Sequence, residues 1–187
     1  MLKWIVERVI VPYLLPDFHA ESAIDISPNW LRSLGVKVVF VDLDNTLTPT
    51  GLWGVGNSER KWVEQLILCG MKVYIVSNEA RSRRVAYIAN SLNVQYIAPA
   101  WKPRTSLIRR ILKANSIDPR DAAMIGDQLF TDVLMAKRLG MLTILVKPMT
   151  NISFITTKVM RFFERPLLRW MHRTKFHSNT HKWKRAR

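Results

Sequence analysis

The 187-residue chain carries 29 lysines and arginines against 14 acids, a formal charge of +15. Its 48% hydrophobic content excludes disorder throughout, and its single cysteine, Cys69, excludes a disulfide framework or a cysteine-held zinc site. Charge of this sign and size favours a polyanionic partner, whether nucleic acid, an anionic membrane surface or a phosphorylated substrate, without choosing among them.

In chain order, residues 1–35 read as a mixed apolar lead-in and a candidate for a membrane interface. Glu7 and Arg8 interrupt its apolar run, and Pro12 and Pro16 break it. It falls short of the roughly 18–20 apolar residues that a spanning helix needs, and no small-residue cleavage site follows. An unprocessed chain without a transmembrane segment is expected.

From residue 36 to 147 apolar runs alternate with helical patterns. Buried strands are expected at 36–41, 72–77, 94–98, 122–126 and 142–146. Helices are expected at 58–68, 82–92, 104–114 and 130–139, with Gly70 and Gly140 where helix C-caps belong. Strands alternating with helices imply one parallel sheet covered on both faces, with ligands bound outside the carboxyl ends of its strands.

Chemistry-bearing residues stand at those ends. "VVFVDLDNTLTP" closes the first strand with Asp42, Asp44 and Thr46; Ser77 and Asn78 close the second; Lys102 follows the third; and "GDQLFTD", with Asp127 and Asp132, follows the fourth. Taken singly these have plain structural readings. The acids are good helix caps, Ser77-Asn78 is a turn, Lys102 beside Pro103 is a solvated loop lysine, and Asp132 compensates a helix dipole. Their order gives them weight: the set resembles the four motifs of the haloacid-dehalogenase (HAD) superfamily of phosphotransferases over residues 36–147.

That resemblance implies an α/β fold, a HAD-like Rossmannoid three-layer sandwich around a central parallel sheet. It implies Asp42 as the nucleophile that forms an aspartyl-phosphate, and Asp44 as general acid and base. Ser77, Asn78 and Thr46 are the candidates at the substrate phosphate, Thr46 also serving as a brace of its loop. Lys102 would balance the accumulated negative charge. Mg²⁺ is the implied cofactor, held by Asp42, Asp127 and the Asp44 backbone carbonyl, with Asp132 either a direct ligand or one step removed. Arg104 reads as a surface residue at a helix start, with substrate contact as the lesser alternative, and His19, His172, His177 and His181 lack metal spacing. The segments "LTPTGLWGVGNS" and "NEARS", where relatives insert cap domains, are too short for one, so no large cap and an open site are expected.

Residues 151–187 carry ten basic residues and one acid, Glu164. Ile155, Val159, Phe162, Phe163 and Trp170 fall near one helical stripe, and Lys158, Arg161, Arg165, Arg169 and Arg173 on another. A basic amphipathic helix of this kind suits a membrane interface; the alternative is an apolar stripe packed on the core with a solvated basic face. The last stretch, "KFHSNTHKWKRAR", reads as a disordered tail.

Over its whole length the chain is similar to the YqeG-type HAD-IIIA phosphatases, and through them to the phosphatidylglycerophosphate phosphatases of mitochondria and chloroplasts. The features that carry this are the lead-in through "VPYLLPDFHAESAIDISPNWLRSLGVKVVFVDLDNTL", then "YIVSNEARSRRV", "WKPRTSLIRRIL" and "MIGDQLFTDVLMAKRLGMLTILVKP". The resemblance implies dephosphorylation of phosphatidylglycerophosphate by an enzyme held peripherally on an anionic membrane, on the cytoplasmic or organelle-matrix side. A soluble phosphatase of small metabolites or nucleotides is the rival reading. A basic nucleic-acid-associated protein is the third, weakened because aromatic and basic residues do not interleave as a stacking platform requires.

Overall fold

The computed structural model describes residues 11–80 and 82–150. Six strands form one wholly parallel sheet: β1 Phe18–Ala20, β2 Val38–Val41, β3 Lys72–Val76, β4 Gln95–Ile97, β5 Ala122–Gly126 and β6 Leu142–Val146. Their spatial order is β1-β6-β5-β2-β3-β4, so the two strands that end in Asp42 and Asp127 are central neighbours. Val38 pairs with Ala122 and Val41 with Ile125, which brings the residues after both strands to the same level.

The inner strands β2, β3, β5 and β6 are short and apolar because they bury both faces, whereas the edge strands β1 and β4 are partly exposed. On β2, Val39 and Val41 join one core cluster and Val38 and Phe40 the other; on β3, Val73 and Ile75 oppose Tyr74 and Val76. This period-two split makes the three layers. Helices α3 (Asn57–Leu68) and α4 (Ser82–Ser91) supply Trp62, Val63, Leu66, Val85 and Ile88 to the first face. Helices α5 (Ser106–Ala114) and α6 (Leu134–Leu139) supply Ile108, Leu112, Met135 and Ala136 to the second. Gly70 and Gly140 adopt φ of +85° and +80° just after α3 and α6, the left-handed conformation that favours glycine at helix ends.

The five expected strands are present, and so are the four expected helices, with two changes. The helix expected at 130–139 is divided. Leu129–Val133 forms a single π-turn, and only Leu134–Leu139 is α-helical. The helix expected from 104 starts at Ser106, because Arg104 N–H closes a turn on the Trp101 carbonyl (2.8 Å).

The lead-in contributes more to the fold than its pattern implies. After a short helix α1 (Val11–Leu14), β1 pairs with β6 and extends the sheet. Asp17 docks it: Thr143 N–H and hydroxyl both donate to Asp17 Oδ2 (2.9 and 2.8 Å), and Lys137 meets Oδ1 at 2.5 Å. Helix α2 (Pro28–Ser33) begins on a Ser27 cap with proline at its first position, and the Trp62 indole N–H donates to the Ile26 carbonyl at 2.7 Å. The sheet therefore begins at Phe18, within the residues that the sequence pattern left outside the core.

Both connections that could carry a cap are short here as well, running directly from β2 to α3 and from β3 to α4. No helix among the described residues is long and apolar enough to cross a membrane. The amphipathic segment expected after Ile152 and the apolar stretch before residue 11 lie outside the described residues.

Candidate active site

At the carboxyl ends of β2 and β5 the chain brings three carboxylates together. Asp42, Asp127 and Asp132 each offer an oxygen within 4.8 Å of the others, and all three are buried. Asp42 and Asp127 directly follow their strands. Asp132 arrives through the π-turn, whose wider winding lets Val133 N–H bond back to the Gln128 carbonyl (3.2 Å). Single π-turns of this kind recur at functional sites. Asp132 Oδ2 accepts from Gln128 N–H (3.2 Å) and lies against the bare Cα of Gly126. A methyl group there would sit 2.3 Å from that oxygen. Gly126 is thus demanded by the approach of Asp132, a packing requirement that no single-sequence pattern reveals.

Lys102 neutralises the cluster. Its Nζ contacts Asp42 Oδ1 closely, reaches Asp132 Oδ1 at 2.7 Å and donates to the Val76 carbonyl at 2.9 Å. The solvated loop lysine is excluded: Lys102 is 7% exposed. Burial opposes its charge, but Asp132 and Asp42 outweigh burial and hold the ammonium above its ordinary pKa. Burial in turn pushes Asp42 up to about 7, with Lys102 pulling against the rise and Asp132 adding to it.

Asp42 Oδ2 is buried and has no hydrogen-bond partner. A bare carboxylate oxygen inside a cluster of three buried carboxylates is a donor set of hard oxygens, and it fits a small divalent cation. One lysine cannot balance three ionised acids in a buried site, which strengthens that fit.

Around this centre the other expected residues divide. Ser77, 2% exposed, uses its oxygen to accept from Glu79 N–H (3.1 Å) and so keeps its hydroxyl proton to donate. Thr46 is buried, and its hydroxyl has no partner. The Asn78 amide, expected at the phosphate, donates to the Lys102 carbonyl (3.0 Å) and accepts from Lys102 N–H (2.7 Å). Its side chain clamps the lysine backbone. Arg104 is exposed, as its surface reading predicts.

Asp44 is turned toward a residue that sequence reasoning left without a role. Arg84 on α4 is 4% exposed; its Nη2 meets Asp44 Oδ1 and Oδ2 at 2.6 and 2.7 Å, its Nε meets Glu79 at 2.7 Å, and its Nη1 donates to the Leu52 carbonyl at 2.6 Å. Burial works against this guanidinium, but Asp44 and Glu79 hold its pKa above the ordinary value. The only sequence signal was an arginine one turn into a helix whose apolar face is buried.

Comparison with known proteins bears on the family and the fold. The family model described as HAD-hyrolase-like matches residues 100–148. The chain is 35% identical over 159 residues to "Probable phosphatase YqeG" of Bacillus subtilis (strain 168), covering 83% of this chain and 90% of that protein. It is 23% identical over 171 residues to "Phosphatidylglycerophosphate phosphatase 1, chloroplastic/mitochondrial" of Arabidopsis thaliana, covering 86% of this chain and about half (49%) of the plant protein. Among solved structures, an uncharacterized protein from Listeria monocytogenes serotype 4b superposes with a TM-score of 0.50 at 18% identity, over 64% of this chain and 86% of that one, which supports the fold. On its extent of identity to the Bacillus protein, the chain belongs to the YqeG family of HAD-like hydrolases.

Proposed function

We propose that the protein is a Mg²⁺-dependent phosphomonoester hydrolase acting through a phosphorylated Asp42, with phosphatidylglycerophosphate as its substrate. The observation that carries the catalytic half is the buried carboxylate cluster, in which Lys102 engages one oxygen of Asp42 and leaves the other bare. Membership of the YqeG family supports hydrolysis of a phosphate ester, and the likeness to the plant enzyme supports the lipid substrate.

Asp42, Asp127 and Asp132 would hold the cation, which when bound offsets the negative charge of carboxylates and phosphate as they meet. Ser77 and Thr46 supply hydroxyl donors to the phosphoryl oxygens. Asp42 attacks phosphorus, the phosphorus–oxygen bond to the alcohol breaks, and the leaving oxygen takes a proton that Asp44 has drawn from solvent on leaving Arg84. Water then attacks the phosphorus of the acyl-phosphate and gives its proton to Asp44. The bond from Asp42 to phosphorus breaks, releasing inorganic phosphate and restoring the carboxylate. For this work Asp44 must exchange Arg84 for the leaving oxygen, because both of its oxygens meet the guanidinium at rest. Lys102, clamped by Asn78, keeps Asp42 oriented throughout.

The test is phosphate release from phosphatidylglycerophosphate in mixed micelles and from a panel of soluble phosphate esters, with Mg²⁺ and with chelator. Wild type should act on the lipid only with Mg²⁺, and Asp42→Asn should retain under about 1% of turnover. An active Asp42→Asn variant would overturn the nucleophile. Hydrolysis of soluble esters alone would overturn the lipid substrate and favour a small-metabolite phosphatase.

A further inference from the structure

The rim of the carboxylate cluster is unusually apolar for a site that handles phosphate. Leu52 and Trp53 are 55% and 58% exposed on the loop after β2; Tyr87 is 58% exposed on α4; Trp101 is 60% exposed beside the buried Lys102. Trp53 and Tyr87 meet edge to face, ring centres 6.0 Å apart. Among the described residues there are four tryptophans. Trp62 is in the core and Trp30 is half-buried, so the two that face solvent both belong to loops at this one end of the sheet.

Looseness does not explain that exposure. The Leu52–Trp53 loop is bonded down on its polar side: Thr48 hydroxyl to the Gly54 carbonyl (2.6 Å), Asn45 amide to the Thr50 hydroxyl (2.8 Å), Arg84 to the Leu52 carbonyl (2.6 Å). Its backbone is anchored while its largest side chains are held outward. Aromatic residues with an apolar body and a polar edge are those that settle at a membrane–water boundary.

The electrostatics at this end match. Arg84 pairs with both nearby acids, Asp44 and Glu79, and so offsets one of their two charges. Arg83 and Arg104 are exposed with no acidic partner among the described residues. Arg83 stands one turn before Tyr87 on α4, and Arg104 closes the turn on Trp101. Met149, 40% exposed, donates its N–H to the Asn45 carbonyl (2.9 Å), and the Thr150 hydroxyl donates to Asn45 Oδ1 (2.7 Å). The chain thus leaves the described residues beside this rim, and beyond Thr150 it carries ten basic residues and one acid.

We propose that Leu52, Trp53, Tyr87 and Trp101, flanked by Arg83 and Arg104, form the surface on which the protein sits on an anionic lipid bilayer, with its carboxylate cluster facing the headgroups. This rests on the lipid-phosphate reading above and deepens it: the membrane contact is the mouth of the site itself. Docked this way, the enzyme reaches a headgroup phosphate without extracting the lipid, which an uncapped site permits.

The experiment uses the full chain and three substrates: phosphatidylglycerophosphate in detergent micelles, the same lipid in phosphatidylglycerol-containing vesicles, and p-nitrophenyl phosphate. The double variant Trp53→Ser, Tyr87→Ser should keep its p-nitrophenyl phosphate turnover and lose about tenfold or more of kcat/KM on vesicles. Arg83→Glu should lose vesicle turnover at low salt and recover relative to wild type as salt rises. Equal vesicle turnover by wild type and the double variant overturns the docking surface while leaving a lipid substrate standing. Failure of wild type on the lipid in micelles overturns the lipid reading and the docking surface with it. If the double variant loses both lipid and soluble turnover, Arg83→Glu decides: full vesicle turnover at low salt overturns the proposal. Concentration-dependent dimerisation abolished by the double variant, with vesicle turnover intact, assigns the rim to a second copy of the chain and also overturns it.

Discussion

Replacing Lys102 with methionine tests the electrostatic core of the site. The methionine keeps most of the side chain's volume, so the change removes a charge and leaves little cavity. Lys102 Nζ contacts two buried carboxylates and the Val76 carbonyl, and the side chains of the lysine, Asp42 and Asp132 are 3%, 7% and 1% exposed. Removing one partner of a buried ion pair costs about 3–5 kcal/mol because the remaining charge is uncompensated. Against a total stability of about 5–15 kcal/mol this is a large share. At about 2–4 °C per kcal/mol for a chain of this size, the midpoint should fall by about 6–20 °C.

The pH dependence gives the effect its signature. Burial raises Asp42 to about 7 from 3.8 even with Lys102 present. A carboxyl whose folded pKa is raised keeps a proton that the unfolded chain has released, so rising pH through that window works against the fold. Without Lys102, which pulls the value down, the folded variant retains more protons than wild type. Its deficit should therefore be level below about pH 7, where both proteins keep the Asp42 proton, and grow above it by up to about 1.4 kcal/mol per pH unit. Urea melts in chelator between about pH 5 and pH 8 measure this directly. A deficit under about 1 kcal/mol at about pH 8, or one that does not grow above about pH 7, would refute the view that Lys102 favours the ionised form of Asp42.

Three further outcomes are expected. Gly126→Ala puts a methyl 2.3 Å from Asp132 Oδ2; urea melts should show a loss of about 1–3 kcal/mol, and calorimetry a weakened divalent-cation affinity. Mg²⁺ binding to chelator-treated wild type should weaken about tenfold per pH unit below about 7, where the proton on Asp42 must leave, and level off above it. Titrations in buffers of different ionisation heat read that proton, and a flat profile contradicts it. Arg84→Met frees Asp44 from its guanidinium. Because Asp44 must leave Arg84 before it acts, turnover of alkyl phosphates should not fall, while urea melts should show a loss of about 1–3 kcal/mol from the unpaired acids; a selective drop of about 10–100-fold on alkyl phosphates would contradict this.

The parallel sheet and the line of acids along its carboxyl edge were legible because both are local signals: apolar runs of strand length, each ending in a chemically conspicuous residue. Lys102 was legible in position, but its complete burial was not, since a lysine before a proline looks solvated until the strands close over it. Asp132 kept two readings because the difference between a dipole acid and a cluster member lies in the π-turn, a backbone choice that side-chain spacing does not encode. Arg84 was missed for the complementary reason. Its partners Asp44 and Leu52 are 40 and 32 residues away, and nothing in the helical pattern distinguishes an inward arginine from Arg83 beside it. β1 is three residues long at the sheet edge, too short for any periodicity to register.

That edge strand has a consequence for how the chain is made. Asp17 grips Thr143 across 126 residues, and β1 completes the sheet only against the last strand, β6. At about 5–20 residues per second, some 6–25 s separate the emergence of the two halves of this clasp from the ribosome. Through that interval Phe18 has no sheet to join. Strands β2 to β5 can assemble among themselves, whereas β1 must wait for β6, the strand it pairs with. The first of the described strands to be made is thus the last one placed, and the Asp17–Thr143 contact acts as a latch that closes on the assembled strands.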